Sequence, residues 1–89
     1  MRVVRTIRLV SDDARAKRVC FVFGARLRDL RHELGLTQSD VAERAGVSLK
    51  YLSQIERGTR NPTLAVVVQL SHALDTTPER LVADLGRVV

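Results

Sequence analysis

From residue 24 onward, apolar positions recur every three or four residues in short runs. Each run is closed by glycine or opened by a Ser, Thr or Pro signal, which predicts consecutive amphipathic helices rather than strands. In residues 25–34, Leu27, Leu30 and Leu34 share one helical face, Arg26, Arg28, Asp29 and Glu33 take the others, and Gly35 suits a left-handed stop. The start of this first helix is open toward the N-terminus by several residues. A second, short helix follows the N-cap Thr37, with Asp40 three residues on and Val41, Ala42 and Ala45 as its apolar positions, and ends at Gly46. Ser48 then caps a third over residues 49–57, with Leu52 and Ile55 on one face and Gly58 at its end. After Asn61 and Pro62, Thr63 caps a fourth and most apolar helix, whose buried stripe reads Leu64, Val67, Val68, Leu70, Ser71 and Leu74. Thr77-Pro78-Glu79 has the cap, the N1 proline and the early acid of a fifth, which carries Leu81, Val82 and Leu85 to Gly86.

Residues 1–23 are less decided. The first ten alternate Arg with β-branched residues, as a strand would, but Val3, Ile7 and Val10 also fit one helical face, and a disordered terminus is a third reading. Ser11-Asp12-Asp13 resembles a helix start with two acids in its first turn, which favours a helix over residues 13–23.

Composition narrows the class. At 89 residues the chain is one domain, and a domain near this size buries only about 60% of its unfolded surface, so a second copy would add stability. Apolar residues make up 45% and aromatics only 3%, which leaves Leu, Val, Ile and Ala to build the core of a small helix bundle. The net charge of +5 favours a polyanionic partner, either nucleic acid or an acidic membrane surface. Positive charge is concentrated early, through Arg2, Arg5, Arg8, Arg15, Lys17 and Arg18, and fades toward the C-terminus. Cys20 stands alone, so it forms neither an intrachain disulfide nor a cysteine zinc site. No stretch is long and apolar enough for a membrane helix or a clear signal peptide, and the expected location is the cytoplasm without membrane contact. Catalysis is disfavoured: His32 and His72 are isolated, and neither a phosphate-binding glycine loop nor metal-ligand spacing occurs, so no cofactor or metal is expected.

Two short helices meeting at Ala45-Gly46-Val47, with Gly46 supplying the positive φ of a tight turn, are the physical core of a helix-turn-helix. The pattern around that turn is specific. Leu27, Leu30-Arg31, Gly35-Leu36-Thr37-Gln38, Val41-Ala42, Ala45-Gly46-Val47-Ser48, Tyr51-Leu52-Ser53-Gln54-Ile55-Glu56-Arg57-Gly58 and Asn61-Pro62-Thr63-Leu64 together resemble the lambda-type phage repressor and Cro (XRE-like) superfamily. The resemblance covers residues 23 to about 82. It implies an all-α, five-helix lambda repressor-like domain over residues 23–89, with residues 1–22 as a basic N-terminal extension.

The resemblance also implies a function: sequence-specific double-stranded DNA binding as a homodimer on a palindromic operator, in an autoregulatory transcriptional regulator. Small size brings restriction-modification controller proteins and phage-like repressors into view. The third helix would enter the major groove and present Leu49, Lys50 and Gln54 to base edges. Lys50 would donate to guanine, with a solvated charge as the bland alternative, and Gln54 would pair with adenine or simply face solvent. Leu49 departs from the polar residue expected there and either meets a thymine methyl or packs against helix two. Ser48 would combine capping with a DNA contact, and Tyr51 and Ser53 would add contacts at the groove edge. Gln38 resembles the family's phosphate-clamping glutamine, and Arg57, Thr59, Arg60 and Asn61 would meet the backbone of the opposite strand. Arg31 and Glu56 match a structural salt bridge between helices one and three.

Two-fold symmetry would place recognition helices ~34 Å apart, with Val66, Leu81, Val82 and Leu85 of helices four and five as the dimer contact. The basic extension would be an arm on DNA or a contact for a partner chain. The competing function is an antitoxin or another protein-interaction module, with a toxin or RNA polymerase as partner.

Overall fold

The computed structural model describes residues 12–87. These form five α-helices, α1 (Asp12–Glu33), α2 (Gln38–Ala45), α3 (Leu49–Glu56), α4 (Leu64–Ala73) and α5 (Pro78–Val82), followed by a 3-10 turn at Leu85–Arg87. No strand occurs among the described residues. The alternative readings of residues 1–10 and the cap at Ser11 lie outside them.

Helix α1 is one uninterrupted element of 22 residues, ~33 Å long at 1.5 Å per residue. It runs through the positions where the N-terminal extension and the domain were expected to meet. Its first turns, residues 13–18, are exposed on every side, and burial begins at Cys20 and Phe23. From there it packs on the others, because Phe23 and Leu27 join Val41, Ala42 and Ala45 of α2, Leu52 and Ile55 of α3, Val67, Leu70, Ala73 and Leu74 of α4 and its C-cap, and Leu81 of α5 in one aliphatic core. Gly24 brings α1 against the end of α3: a Cβ at this position would overlap the Ile55 carbonyl oxygen and lie 2.8 Å from that of Glu56. Glycine, normally costly inside a helix, is what the close approach requires.

Local chemistry explains the breaks. Thr37, Ser48, Thr63 and Thr77 all sit at N-caps, and each side chain accepts a hydrogen bond from the backbone N–H three residues on. Gly35, Gly46 and Gly58 adopt φ of 70, 71 and 78°. Helix α4 ends without glycine: Asp75 takes φ 54°, and the Thr76 N–H donates to the Ser71 carbonyl at 2.9 Å.

Three apolar expectations need correction. Leu34 is 49% exposed because it follows the last helical residue, where the chain turns away through Gly35. Leu64, read as part of the buried stripe, is 80% exposed: it is the first residue of α4, one turn beyond the packed Val67. The fifth helix stops at Val82 instead of continuing to Leu85, since Ala83 is extended and Asp84 has φ 61°. Arg26 of α1 holds this break, its Nη1 donating to the carbonyls of Leu81 at 2.9 Å and Ala83 at 2.7 Å.

Candidate nucleic-acid interface

The turn between α2 and α3 is built from three residues. Gly46 at φ 71° reverses the chain, the Val47 N–H donates to the Ala42 carbonyl at 3.0 Å, and Ser48 Oγ accepts from the Tyr51 N–H at 3.0 Å. Val41, Ala42, Leu52 and Ile55 fix the inner faces of the two helices in the core, so the outer face of α3 is held rigidly. Ser48 is committed as an acceptor, but its hydroxyl hydrogen stays free to donate. An N-cap of this kind contributes ~1 kcal/mol.

At the entrance to α2, Thr37 and Asp40 form a reciprocal capping box: the Asp40 N–H donates to Thr37 Oγ1 at 3.0 Å, and the Thr37 N–H donates to Asp40 Oδ2 at 2.9 Å. The Thr37 backbone N–H, and after it the Thr37 hydroxyl, hold the Asp40 carboxyl below its usual range. Helix α2 therefore starts at a fixed place, with Gln38 as its first residue.

Arg31 and Glu56 tie α1 to the C-terminal end of α3. Arg31 Nε donates to Glu56 Oε2 at 2.7 Å and Nη2 to Oε1 at 2.9 Å, while Nη1 donates to the Leu36 carbonyl at 3.0 Å. The hydrogen bonds to the Glu56 carboxylate raise the Arg31 pKa further, so its charge is permanent. Glu56 also accepts from Gln38 Nε2 at 3.0 Å. Gln38 is thus anchored inward through one amide hydrogen, with the other still available.

On the outer face, Ser48, Lys50, Tyr51, Gln54 and Arg60 line one open cavity of about 430 Å³. Lys50 is exposed, Tyr51, Ser53 and Gln54 are half-buried, and Leu49 is 49% exposed and outside that cavity. Arg57 lies along the helix and donates to Ser53 Oγ at 3.2 Å. The following loop is fastened to the Gln54 carbonyl, to which the Thr59 N–H and Oγ1 both donate, at 3.0 and 3.1 Å. Arg60 then folds back, its guanidinium 4.8 Å from the Tyr51 ring centroid and its Nη1 donating to Gln54 Oε1 at 3.1 Å. Asn61 faces α1 instead, sharing a cleft of about 210 Å³ with Thr59, Arg60, Lys17 and Cys20. Burial raises the Cys20 thiol pKa, which makes it less reactive. Among the described residues no three His, Cys, Asp or Glu side chains group as metal ligands, and no helix is long and apolar enough to cross a membrane.

Sequence reasoning missed two features. The Arg60–Gln54–Tyr51 cluster depends on how the loop curls back, which periodicity does not encode. The placement of Lys17 beside that loop follows from the unbroken length of α1, for which the acids at Asp12 and Asp13 were the only signal.

The geometry has close relatives. The helix-turn-helix domain family matches residues 22–85. The chain belongs to that family. The HTH-type transcriptional regulator y4dJ of Sinorhizobium fredii, itself uncharacterised, is 46% identical over 59 residues, covering 66% of this chain and 77% of the relative. Among solved structures, the restriction-modification controller protein C.AhdI from Aeromonas hydrophila superposes with TM-score 0.69 at 40% identity, over 70% of this chain and 94% of that one. A chain of the SinR protein/SinI protein complex superposes with TM-score 0.67 at 34% identity, over 75% and 66%. The helix-turn-helix chain spans 45% or less of four other curated relatives. Its fold is the all-helical, lambda repressor-like one, and its family is that of DNA-binding transcriptional regulators, which are not enzymes.

Proposed function

We propose that this helix-turn-helix protein binds a palindromic operator as a homodimer in the cytoplasm and regulates its own operon. The observation that carries the reading is the outer face of α3, where Ser48, Lys50, Tyr51, Gln54 and Arg60 converge on one open surface of a helix fixed by its cap and by the core. Lys50 and Gln54 are the base-reading residues, and Leu49, half-exposed at the same helix start, is available to a thymine methyl. Gln38 at the α2 N-terminus, Ser53, Arg57, Thr59 and Asn61 supply phosphate and groove-edge contacts around them.

The exposed first turns of α1 carry Arg15, Lys17 and Arg18, which extend the basic surface. Deleting residues 2–10, outside the described part, tests whether Arg2, Arg5 and Arg8 continue it as an arm: unchanged operator affinity would remove that role.

The deciding experiment is selection of bound duplexes from a random library with the purified protein at near-physiological salt. An enriched palindrome, with affinity falling by orders of magnitude between about 50 and 200 mM salt, is expected from several phosphate contacts per dimer. A folded protein that enriches nothing points to the second reading, an interaction module for a toxin, RNA polymerase or another protein. One observation favours that reading: Phe21, 64% exposed, lines an apolar cavity with Ala14, Lys17, Arg18 and Gly58.

A further inference from the structure

We infer that Arg60 is a positioning residue that sets the base preference of Gln54, turning its carboxamide so that guanine is read in preference to adenine. The inference rests on the assignment of Gln54 to base readout.

The contacts that Arg60 and Thr59 make with α3 carry it. Gln54 and Tyr51 are three residues apart and therefore neighbours on the helix surface. Arg60 reaches both, with its guanidinium 4.8 Å from the Tyr51 ring centroid and Nη1 3.1 Å from Gln54 Oε1. The loop that delivers Arg60 is held by two hydrogen bonds from Thr59 to the Gln54 backbone carbonyl, so its approach is fixed relative to the side chain it meets.

The chemistry of the guanidinium then decides the amide orientation. Arginine has five N–H donors and no acceptor, so only the oxygen of Gln54 can face it. The amide nitrogen is turned the other way, and its two hydrogens are what Gln54 offers to a groove. Guanine presents two acceptors there, N7 and O6, which match two donors. Adenine presents N7 beside the N6 amino group, and pairing with it bidentately needs the Gln54 oxygen turned to the base edge, whereas Arg60 turns that oxygen toward the loop. An unrestrained glutamine favours adenine; one tethered by Arg60 favours guanine. Arg60 is exposed, so replacing it leaves the core intact.

The test is the same library selection run with the wild-type protein, Gln54→Ala and Arg60→Met, together with the salt dependence of each affinity. Gln54→Ala is expected to flatten preference at one base pair per half-site, which locates the position. There the wild type is expected to favour guanine over adenine by about ten-fold, and Arg60→Met to erase or reverse that preference while leaving the other positions unchanged. Uniform weakening by Arg60→Met with the preference intact, accompanied by a shallower salt slope, would overturn the inference and leave Arg60 as a phosphate contact. A wild-type preference for adenine at that position, or no change in any position with Gln54→Ala, would overturn it equally. Failure of the functional reading looks different: the wild type itself then enriches no sequence, and the inference falls with it.

Discussion

Arg31 and Glu56 meet in a two-pronged ion pair, at 2.7 and 2.9 Å, with side chains only 10% and 3% exposed. Because Glu56 also accepts from Gln38, one buried carboxylate joins α1, the N-terminus of α2 and the C-terminus of α3. Removing either charge strands the other away from water. Arg31→Ala and Glu56→Ala are each expected to cost about 3 kcal/mol or more of unfolding free energy, with the double variant losing far less than the sum. Small and additive losses in chemical denaturation would show that the pair is not a unit. Glu56→Ala should in addition weaken DNA binding beyond its effect on folding, since Gln38 loses its anchor.

Gly24 makes a different demand on the same junction. Substituting alanine for glycine within a helix ordinarily gains ~1 kcal/mol, but here a Cβ would overlap the Ile55 carbonyl oxygen at the end of α3. Backbone cannot give way as a flexible side chain does, so Gly24→Ala is expected to destabilise by about 1–3 kcal/mol. A gain in stability would mean that α1 and α3 are farther apart than the structure places them.

Such residues show what the sequence discloses and what it conceals. The caps at Thr37, Ser48, Thr63 and Thr77 and the turn at Gly46 were legible because each is a local signal read over four residues. The face of α3 was legible for the same reason, through the periodicity of Leu52 and Ile55. The role of Gly24, the reach of Arg26 to the end of α5 and the return of Arg60 onto Gln54 join residues far apart or depend on a loop's path. The exposure of Leu34 and Leu64 was hidden too, since periodicity gives the direction of a side chain but not whether a partner element extends that far along the helix.

Asp40 gives the stability a pH signature. The Thr37 N–H and hydroxyl lower its folded pKa below the ordinary aspartate value of about 3.9. The unfolded chain therefore takes up a proton first as pH falls. The stabilisation is fully present above the ordinary value and lost as pH drops through the lowered folded one. Wild type and Asp40→Asn should differ in unfolding midpoint at about pH 6, and the difference should shrink as pH falls below the ordinary aspartate value. A difference independent of pH would place the carboxylate outside the capping box in solution.

The proposed homodimer would need an apolar contact surface, and the exposed apolar residues bear on where it lies. Of the four residues expected to form it, Leu81 is fully buried in the core of its own chain and so unavailable to a partner; Val66 and Leu85 are half-buried, and Val82 is 42% exposed. Leu64 replaces it as the more prominent apolar side chain, 80% exposed at the start of α4. A leucine left this far in water gains ~1.5–3 kcal/mol on full burial, which suits a self-complementary contact. Leu64→Gln and Val82→Gln add no charge that would complicate DNA binding. Each is expected to leave monomer stability within about 0.5 kcal/mol, because neither side chain is in the core, while weakening dimerisation by about ten-fold or more, as read by sedimentation without DNA. Operator affinity should fall in step, since each half-site then binds alone. If both variants dimerise as the wild type does, the contact lies away from α4 and α5, and the exposed first turns of α1 with Phe21 become the surface to probe.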